Sequence, residues 1–505
     1  MMKAKKNRAV SLCLPILLLA SLLLALLASC GGGGETPAVT TAQADVTTAG
    51  TADVPVEETT IVYRADVPDS LDYNGAGFTI LVYDNGKLDT RLYLHADFET
   101  ETGDTISDAI YRRCLAAEEQ LNVDVKETTD TSAESSAKKA IMAGDESYQL
   151  SLIPLSMTKN LAQAGYLLNL LDLPYFDADA PWWDSNFKDS LTIFGKLHFD
   201  TGDITVYDDM RVTSAYFNKG LWAKFGLDDP YKMVTDGAWT VDRFFELGAD
   251  YTFDLNGDGL LDQNDQWGIL SEYTGVVDFY FAAKEHMVTL DADGTPVIRL
   301  TSERAATVAE DLLTRFLDES AVYLADRITG QSDIWAYASQ IFMEDRALIR
   351  TSCFENIPRD YRAMDTDFGV LPLPKYDESQ DTYYTDARAD IHVAAVPTTV
   401  SDPEFVSAVT ECLAAESKNV LTPAFYEISL QGKVLRDNES EAMLDILFAN
   451  KVYDLGYLYQ IGGMNSILND LAKTKSTDFQ STLASKLSSY QTALDTIITT
   501  YKELG

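Results

Sequence analysis

The apolar positions of this chain switch repeatedly between short continuous runs and the spacing of an amphipathic helix. From Phe78 onward the two patterns alternate at intervals typical of β-α-β units. We therefore predict strands at 78–83, 123–125, 148–155, 197–199, 214–217, 347–350, 368–373 and 391–396. Helices are expected at 105–122, 132–143, 219–225, 241–251, 305–317 and 334–342, with another after 155 that runs through 161 and 168. This alternation predicts an α/β fold with mostly parallel sheets.

Beyond Ser401 the pattern is mainly helical. Ser401 can cap the first of these helices, with Glu404 reaching back to it, and a long closing helix is expected at 482–504. About 440 residues follow the N-terminal region, which is more than one core usually holds. We expect lobe 1 at 71–210, lobe 2 at 211–375, a return to lobe 1 at 376–416, and a helical C-terminal part packed on the lobes at 417–505.

Residues 1–29 have the composition of an export signal, with a basic start, an apolar run and small residues before Cys30. The sequence LASC at 27–30 resembles the lipobox of bacterial lipoproteins, in which the cysteine is acylated and becomes the mature N-terminus. A spanning helix is the alternative, but it does not need this cysteine or the four glycines after it. Residues 30–70 read as a disordered tether. We therefore expect a lipid anchor on Cys30 at the extracytoplasmic face of a cell membrane.

The formal net charge is −40, which argues against nucleic-acid binding and disfavours a strongly anionic ligand. The four histidines are scattered, and the sequence carries no H-E-x-x-H, G-x-S-x-G or phosphate-loop motif. Cys114 and Cys412 fall on apolar helix faces, as buried thiols do, whereas a disulfide through Cys353 stays open.

Several passages resemble family 1 extracellular solute-binding proteins. YFNKGL at 216–221 and FGL at 225–227 are similar to that family's YNKxLxxxxGL passage, and AWTVD at 238–242 is similar to its W-T-x-D helix start. IFMEDRAL at 341–348 is a looser match, because Asp345 stands for the family's glycine and Leu348 for its methionine. FGVLPLPK at 368–375 closely resembles the family's G-x-x-P-x-P crossover, and the similarity extends from about 78 to 416.

This resemblance implies a type II periplasmic-binding-protein-like fold with a helical C-terminal extension. Its two lobes would close by a hinge motion on a ligand that an ABC permease then receives. The family's cleft contacts come from loops after strands and from aromatic residues. The resemblance therefore makes candidates of Ser156, Met157, Asp203, Tyr280, Trp335, Phe354 and Glu355.

Trp182, Trp183 and Asp184 form a further candidate, because aromatic faces stack on sugar rings and a carboxylate accepts hydroxyl hydrogen bonds. The alternative is that one tryptophan belongs to the core and the other lies under a loop.

The segment 254–265 has the spacing of an EF-hand calcium loop, with an aspartate in place of the usual closing glutamate. Its ligands would be Asp254, Asn256, Asp258, the Leu260 carbonyl, Asp262 and Asp265. The alternative is an acidic turn without a metal. A structural Ca²⁺ is the one cofactor that the sequence suggests.

The sequence thus predicts a monomeric, membrane-anchored receptor without enzymatic activity, which captures a small ligand such as a sugar for an ABC importer. A surface lipoprotein that hydrolyses glycans is one alternative, and a carbohydrate-binding sensor or adhesion module without transport is another.

Overall fold

The computed structural model describes residues 61–84, 94–430 and 438–504, all within one packed unit, Ile61–Gly505. The export signal, Cys30 and most of the tether lie outside the described residues. In the part of the chain that is described, no helix has both the length and the apolar character needed to cross a bilayer.

The first third of the described chain alternates strands and helices. Asp104 accepts hydrogen bonds from two backbone N–H groups and so caps the first helix, and Asn122, in the left-handed conformation, ends it. The elements are β1 (Ala76–Tyr83), α1 (Thr105–Leu121), β2 (Val123–Asp130), α2 (Ala133–Ala143), β3 (Leu150–Pro154), α3 (Leu155–Gln163), α4 (Ser185–Leu191) and α5 (Tyr207–Met210).

The middle third keeps this alternation with shorter strands. Its elements are β4 (Thr213–Asn218), α6 (Lys219–Phe225), α7 (Pro230–Thr235), α8 (Val241–Asp250), β5 (Trp267–Ser271), α9 (Gly275–Ala282), β6 (Val288–Leu290), β7 (Pro296–Ile298), α10 (Glu303–Phe316), β8 (Val322–Leu324), α11 (Ile334–Met343), β9 (Ala347–Cys353), α12 (Asn356–Arg359) and β10 (Phe368–Leu371).

The last third is mainly helical. It contains β11 (Thr385–Asp386), β12 (His392–Ala395), α13 (Pro403–Glu416), α14 (Thr422–Leu430), α15 (Asn438–Ala449), β13 (Lys451–Val452), α16 (Leu455–Leu458), α17 (Ile467–Lys473) and α18 (Phe479–Glu503). A π-helical turn, Ser417–Leu421, joins α13 to α14.

Two separate sheets organise the described chain. The first has the strand order β12-β3-β1-β2 and the second the order β10-β4-β9-β5-β8. Both are mixed. Two of the three strand pairings in the first sheet and two of the four in the second are parallel, so the prediction of mostly parallel sheets is confirmed for the first sheet and wrong for the second. The antiparallel strands β12 and β4 are those that enter a sheet just after the chain has crossed from the other one. The strands β1, β2 and β3 are parallel, as are β5, β8 and β9.

Some local predictions need correction. Asp402, and not Ser401, caps α13, because its carboxylate accepts from Phe405 N while Ser401 bonds to Glu146. Residues 197–199 form no strand, since only the neighbouring Asp200 bridges to the first sheet, at Ala394. The helix α3 ends at Gln163, before 168. Cys114, Cys353 and Cys412 are all free and buried.

Candidate functional site

A cavity of about 670 Å³ lies between the two sheets, and we call it the cleft. The carboxyl ends of β1 and β3 border it on one side, and the loops after β8 and β9 border it on the other. It is lined by Tyr83, Pro154, Ser156, Met157, Tyr207, Arg211, Asp333, Trp335, Ala336, Glu355, Arg359, Asp360, Asp390 and His392. The carboxyl edge of parallel strands is where open α/β sheets bind ligands.

Arg211 links the two sides of the cleft. It lies between α5 and β4, where the chain passes from the first sheet to the second. Its Nη1 is 2.5 Å from Glu355 Oε1, which follows β9, and its Nε donates to Asp390 Oδ1 at 3.0 Å, just before β12. Burial alone would raise the pKa of Asp390, but the Arg211 guanidinium outweighs burial and holds that pKa below its usual value.

A second guanidinium, that of Arg359, continues this network. It contacts Glu355 Oε1 at 3.3 Å and makes a two-point contact with the Asp360 carboxylate, with distances of 3.1 and 3.0 Å. Ser339 also donates to Asp360, at 2.6 Å. These contacts fix the charged side chains of the second side before any ligand arrives.

Aromatic side chains complete the cleft. Asp333 caps α11 through the N–H groups of Trp335 and Ala336, and it thereby positions Trp335, whose side chain remains 43% exposed. On the opposite side, His392 lies 4.9 Å from the Tyr207 ring. Burial lowers the pKa of His392 to about 3, although the Asp390 carboxylate opposes this, so the imidazole is neutral at physiological pH. The cleft thus combines one open aromatic face with fixed hydrogen-bonding groups.

The structure brings four of the predicted ligand contacts together in the cleft, namely Ser156, Met157, Trp335 and Glu355. It places two others elsewhere. Tyr280 is fully buried on α9, and Phe354 is buried against Phe425 and Phe448 of the C-terminal helices.

Trp182, Trp183, Asp184 and Asp203 line a different cavity of about 500 Å³, which we call the second cavity. The two tryptophans are 6% and 5% exposed, and their indole N–H groups donate to the two oxygens of Glu411 at 2.7 and 2.8 Å. Their ring faces are therefore largely occupied by the core of the first sheet.

The second cavity also holds a buried cation. Lys451 Nζ lies 3.0 Å from Asp184, 2.6 Å from Asp208 and 2.8 Å from Asp209. Asp203 is paired with Lys418 at 2.9 Å. Because β13 carries Lys451, these ion pairs attach the C-terminal part to the segment where the chain first crosses between sheets.

The loop 254–265 closes on itself through its own backbone. Asp254 accepts from Gly257 N and Gly259 N, and Asp265 accepts from Leu255 N and Asp262 N. Across the described residues, no group of three or more His, Cys, Asp or Glu side chains is arranged to hold a metal ion. The carboxylates present have the chemistry for Ca²⁺, and these hydrogen bonds fit both a calcium loop and an acidic turn.

Sequence reasoning missed most of the charged cleft residues, including Arg211, Arg359, Asp360 and Asp390, and it missed the neutral His392 as well. One signal was available in the sequence. Arg211 and Asp390 each lie just before a predicted strand, at the points where the chain crosses from one sheet to the other, and a cleft between two lobes lies at such crossings. Arg211 and Asp390 are 179 residues apart in sequence, so no local pattern couples them.

Two α/β lobes, each built on a mixed sheet, with a cavity between their facing ends define a two-lobe binding fold. Several solved structures have the same fold. UspC of M. tuberculosis has a TM-score of 0.55 at 13% identity, over 83% of this chain and 100% of that chain. A cyclo/maltodextrin-binding protein complexed with maltotetraose has a TM-score of 0.54 at 14% identity, over 85% and 97%. A sugar transporter from Rhizobium etli in an open conformation has 0.53 at 14% identity, over 85% and 100%.

No protein-family profile and no curated sequence matches the chain. Identities this low establish the fold alone. The chain therefore has the two-lobe periplasmic-binding-protein-like α/β fold with a helical C-terminal region, which confirms the fold class predicted from sequence.

Proposed function

We propose that this protein is a solute receptor that captures a saccharide in the cleft and delivers it to an ABC importer. The observation that carries the proposal is the cleft itself, about 670 Å³ of space between two sheets with a preformed polar network and one exposed tryptophan. This volume is within the range of about 300–1,000 Å³ that small-molecule sites occupy.

The choice of a saccharide rests on chemistry and on similarity. Trp335 offers an apolar face to the C–H groups of a sugar ring, and Glu355, Asp360 and Asp390 offer acceptors for its hydroxyl groups. The similar structures include a maltodextrin-binding protein and a sugar transporter.

The receptor would be held at the extracytoplasmic face of the membrane by acyl chains on Cys30. The tether would end near residue 60 and not at 70 as predicted, because Ala65 and Val67 are already buried in the packed unit. More than one acyl chain gives stable anchoring, at about 0.8 kcal/mol for each buried CH₂. Mass spectrometry of the mature chain would reveal the acyl groups on Cys30, and an unmodified cysteine would contradict the anchor.

Binding of a panel of saccharides, measured by thermal shift and calorimetry, tests the proposed function. We expect reversible one-to-one binding without chemical conversion, and Trp335→Ala should weaken it by about tenfold through lost apolar contact. Phe253→Ala is the matched control, because Phe253 is 42% exposed and does not line the cleft. Turnover of the saccharide would favour a hydrolase, and stabilisation by none of the panel would contradict the proposal.

A further inference from the structure

The charges that line the cleft do not balance. Four carboxylates, those of Asp333, Glu355, Asp360 and Asp390, face two guanidiniums, those of Arg211 and Arg359. The cleft therefore carries an excess of two negative charges. The whole chain adds to this field, because its formal net charge is −40.

Every nitrogen of both guanidiniums already has a carboxylate partner. Arg211 directs Nε and Nη2 to Asp390, and its Nη1 to Glu355. Arg359 directs Nε and Nη2 to Asp360, and its Nη1 to Glu355. A sugar carboxylate or phosphate at either guanidinium would compete with carboxylates that are already in place, and displacing one of them would leave that group unpaired in a partly buried site.

Acceptors, by contrast, remain available. Both arginines contact the same oxygen of Glu355, Oε1, and among the described residues no hydrogen bond reaches its Oε2. Sugar hydroxyls are donors that suit such an oxygen, whereas anionic substituents are acceptors and are repelled by it.

We propose that the cleft binds saccharides without negative charge and excludes uronates and sugar phosphates. This inference rests on the proposed function, since it specifies which saccharides the same cleft accepts. The selectivity against anionic saccharides has two sources: the carboxylates of the cleft repel them, and the arginines are already paired. The cleft thus discriminates through an unfavourable interaction with the wrong ligand.

The test uses competition binding on the purified full-length protein, with oligosaccharides offered as neutral and acidic sets. The neutral set holds malto-, cello-, xylo-, manno- and galacto-oligosaccharides, and the acidic set holds oligogalacturonates, oligoguluronates and maltose phosphate. A neutral member should bind more tightly than every acidic member by at least about tenfold at low salt, and the gap should narrow in about 0.5 M NaCl.

Asp333→Asn tests the charge itself, because asparagine caps a helix as well as aspartate does. The change removes one negative charge from the cleft, so the ratio of acidic to neutral affinity should rise by about threefold to thirtyfold. Asp229→Asn is the matched control. Asp229 caps α7 through the same two N–H positions and does not line the cleft, so this variant should leave the ratio unchanged.

The outcomes separate the two proposals. Tightest binding by an acidic saccharide, or an unchanged ratio in Asp333→Asn, would overturn the charge selection and leave the saccharide receptor standing. Binding by no saccharide of either set would overturn the proposed function, and the inference with it.

Discussion

Glu411 illustrates how burial changes the chemistry of a single residue. It is buried on α13 and accepts the indole N–H groups of Trp182 and Trp183 together with the backbone N–H of Asp177. Burial raises the pKa of Glu411 to about 7, although the indole donors oppose this. The tryptophan pair is thus explained by a structural carboxylate in the core of the first sheet.

This raised pKa predicts a pH-dependent stability. Between pH 4.5, the ordinary pKa of a glutamate, and about 7, the folded state holds a proton on Glu411 that the unfolded state has lost. The contribution of Glu411 to the free energy of unfolding should therefore fall by about 3 kcal/mol as pH rises through this range. Urea unfolding at pH 5 and pH 8 should show a decline in the free energy of unfolding that is smaller in Glu411→Gln than in the wild type by about this amount, because other buried carboxyls such as Asp97 also titrate in this range.

Glu404→Gln is the control for this experiment, because Glu404 lies on the same helix and is exposed. It should keep the wild-type pH dependence. A Glu411→Gln protein with the wild-type slope would contradict the raised pKa.

The positions of residues relative to the predicted strands and helices identified only some of the cleft residues. Ser156, Trp335 and Glu355 were predicted because they follow strands or begin helices at the expected mouth, and the cavity does include them. Trp182 and Trp183 have the composition of a sugar platform, but their indole groups are bound by Glu411, a residue 228 or more positions away. Long-range pairing of this kind leaves no periodic trace in the sequence.

At the scale of elements, prediction worked where a local cap or an apolar run decides the structure. The helix α6 occupies the predicted residues 219–225, with Asn218 as its cap and Gly226 in the left-handed conformation at its end. The short strands β5 and β8 were missed, since β8 has only three residues and gains its order from pairing with β5. The antiparallel direction of β4 and β12 was missed because crossings between sheets are not visible in the pattern.

The loop 254–265 is the element whose role is least determined by its contacts, and we propose that it binds Ca²⁺ weakly. With a Kd of about 1 mM, 10 mM Ca²⁺ should stabilise the protein by about 1.4 kcal/mol. Asp254→Asn should remove this gain, because it takes a charged ligand from the first position. Thermal unfolding with Ca²⁺, Mg²⁺ and chelator measures the effect.

Asp291→Asn provides the comparison for the calcium experiment. Asp291 accepts two backbone N–H bonds in another acidic turn, yet it lies outside the calcium-type spacing. It should retain the full response to Ca²⁺. Equal stabilisation of Asp254→Asn and wild type would assign the loop to the acidic-turn alternative.

At the scale of the whole molecule, two groups of buried ion pairs lie where the chain crosses between sheets. Arg211 joins Glu355 beyond the second sheet to Asp390 at the edge of the first, and Lys451 joins the C-terminal part to Asp208 and Asp209. Removing one partner of such a buried group is costly, commonly about 3–5 kcal/mol. These pairs therefore hold the crossings in a defined geometry, and we expect a motion between the sheets to pivot around them.

A hinge at these crossings predicts that a saccharide draws the two sheets together. Spin labels at Lys138→Cys on α2 and Gln340→Cys on α11, in a chain without Cys13 and Cys30, report the distance across the cleft. Both positions are exposed, and the remaining cysteines, Cys114, Cys353 and Cys412, are buried. A bound saccharide should shorten this distance by more than about 2 Å, as domain closure does.

Labels at Lys232→Cys and Gln340→Cys, both beside the second sheet, are the control and should keep their distance. An unchanged 138–340 distance at saturating saccharide would mean that capture proceeds without closure, and the hinge would have to be abandoned.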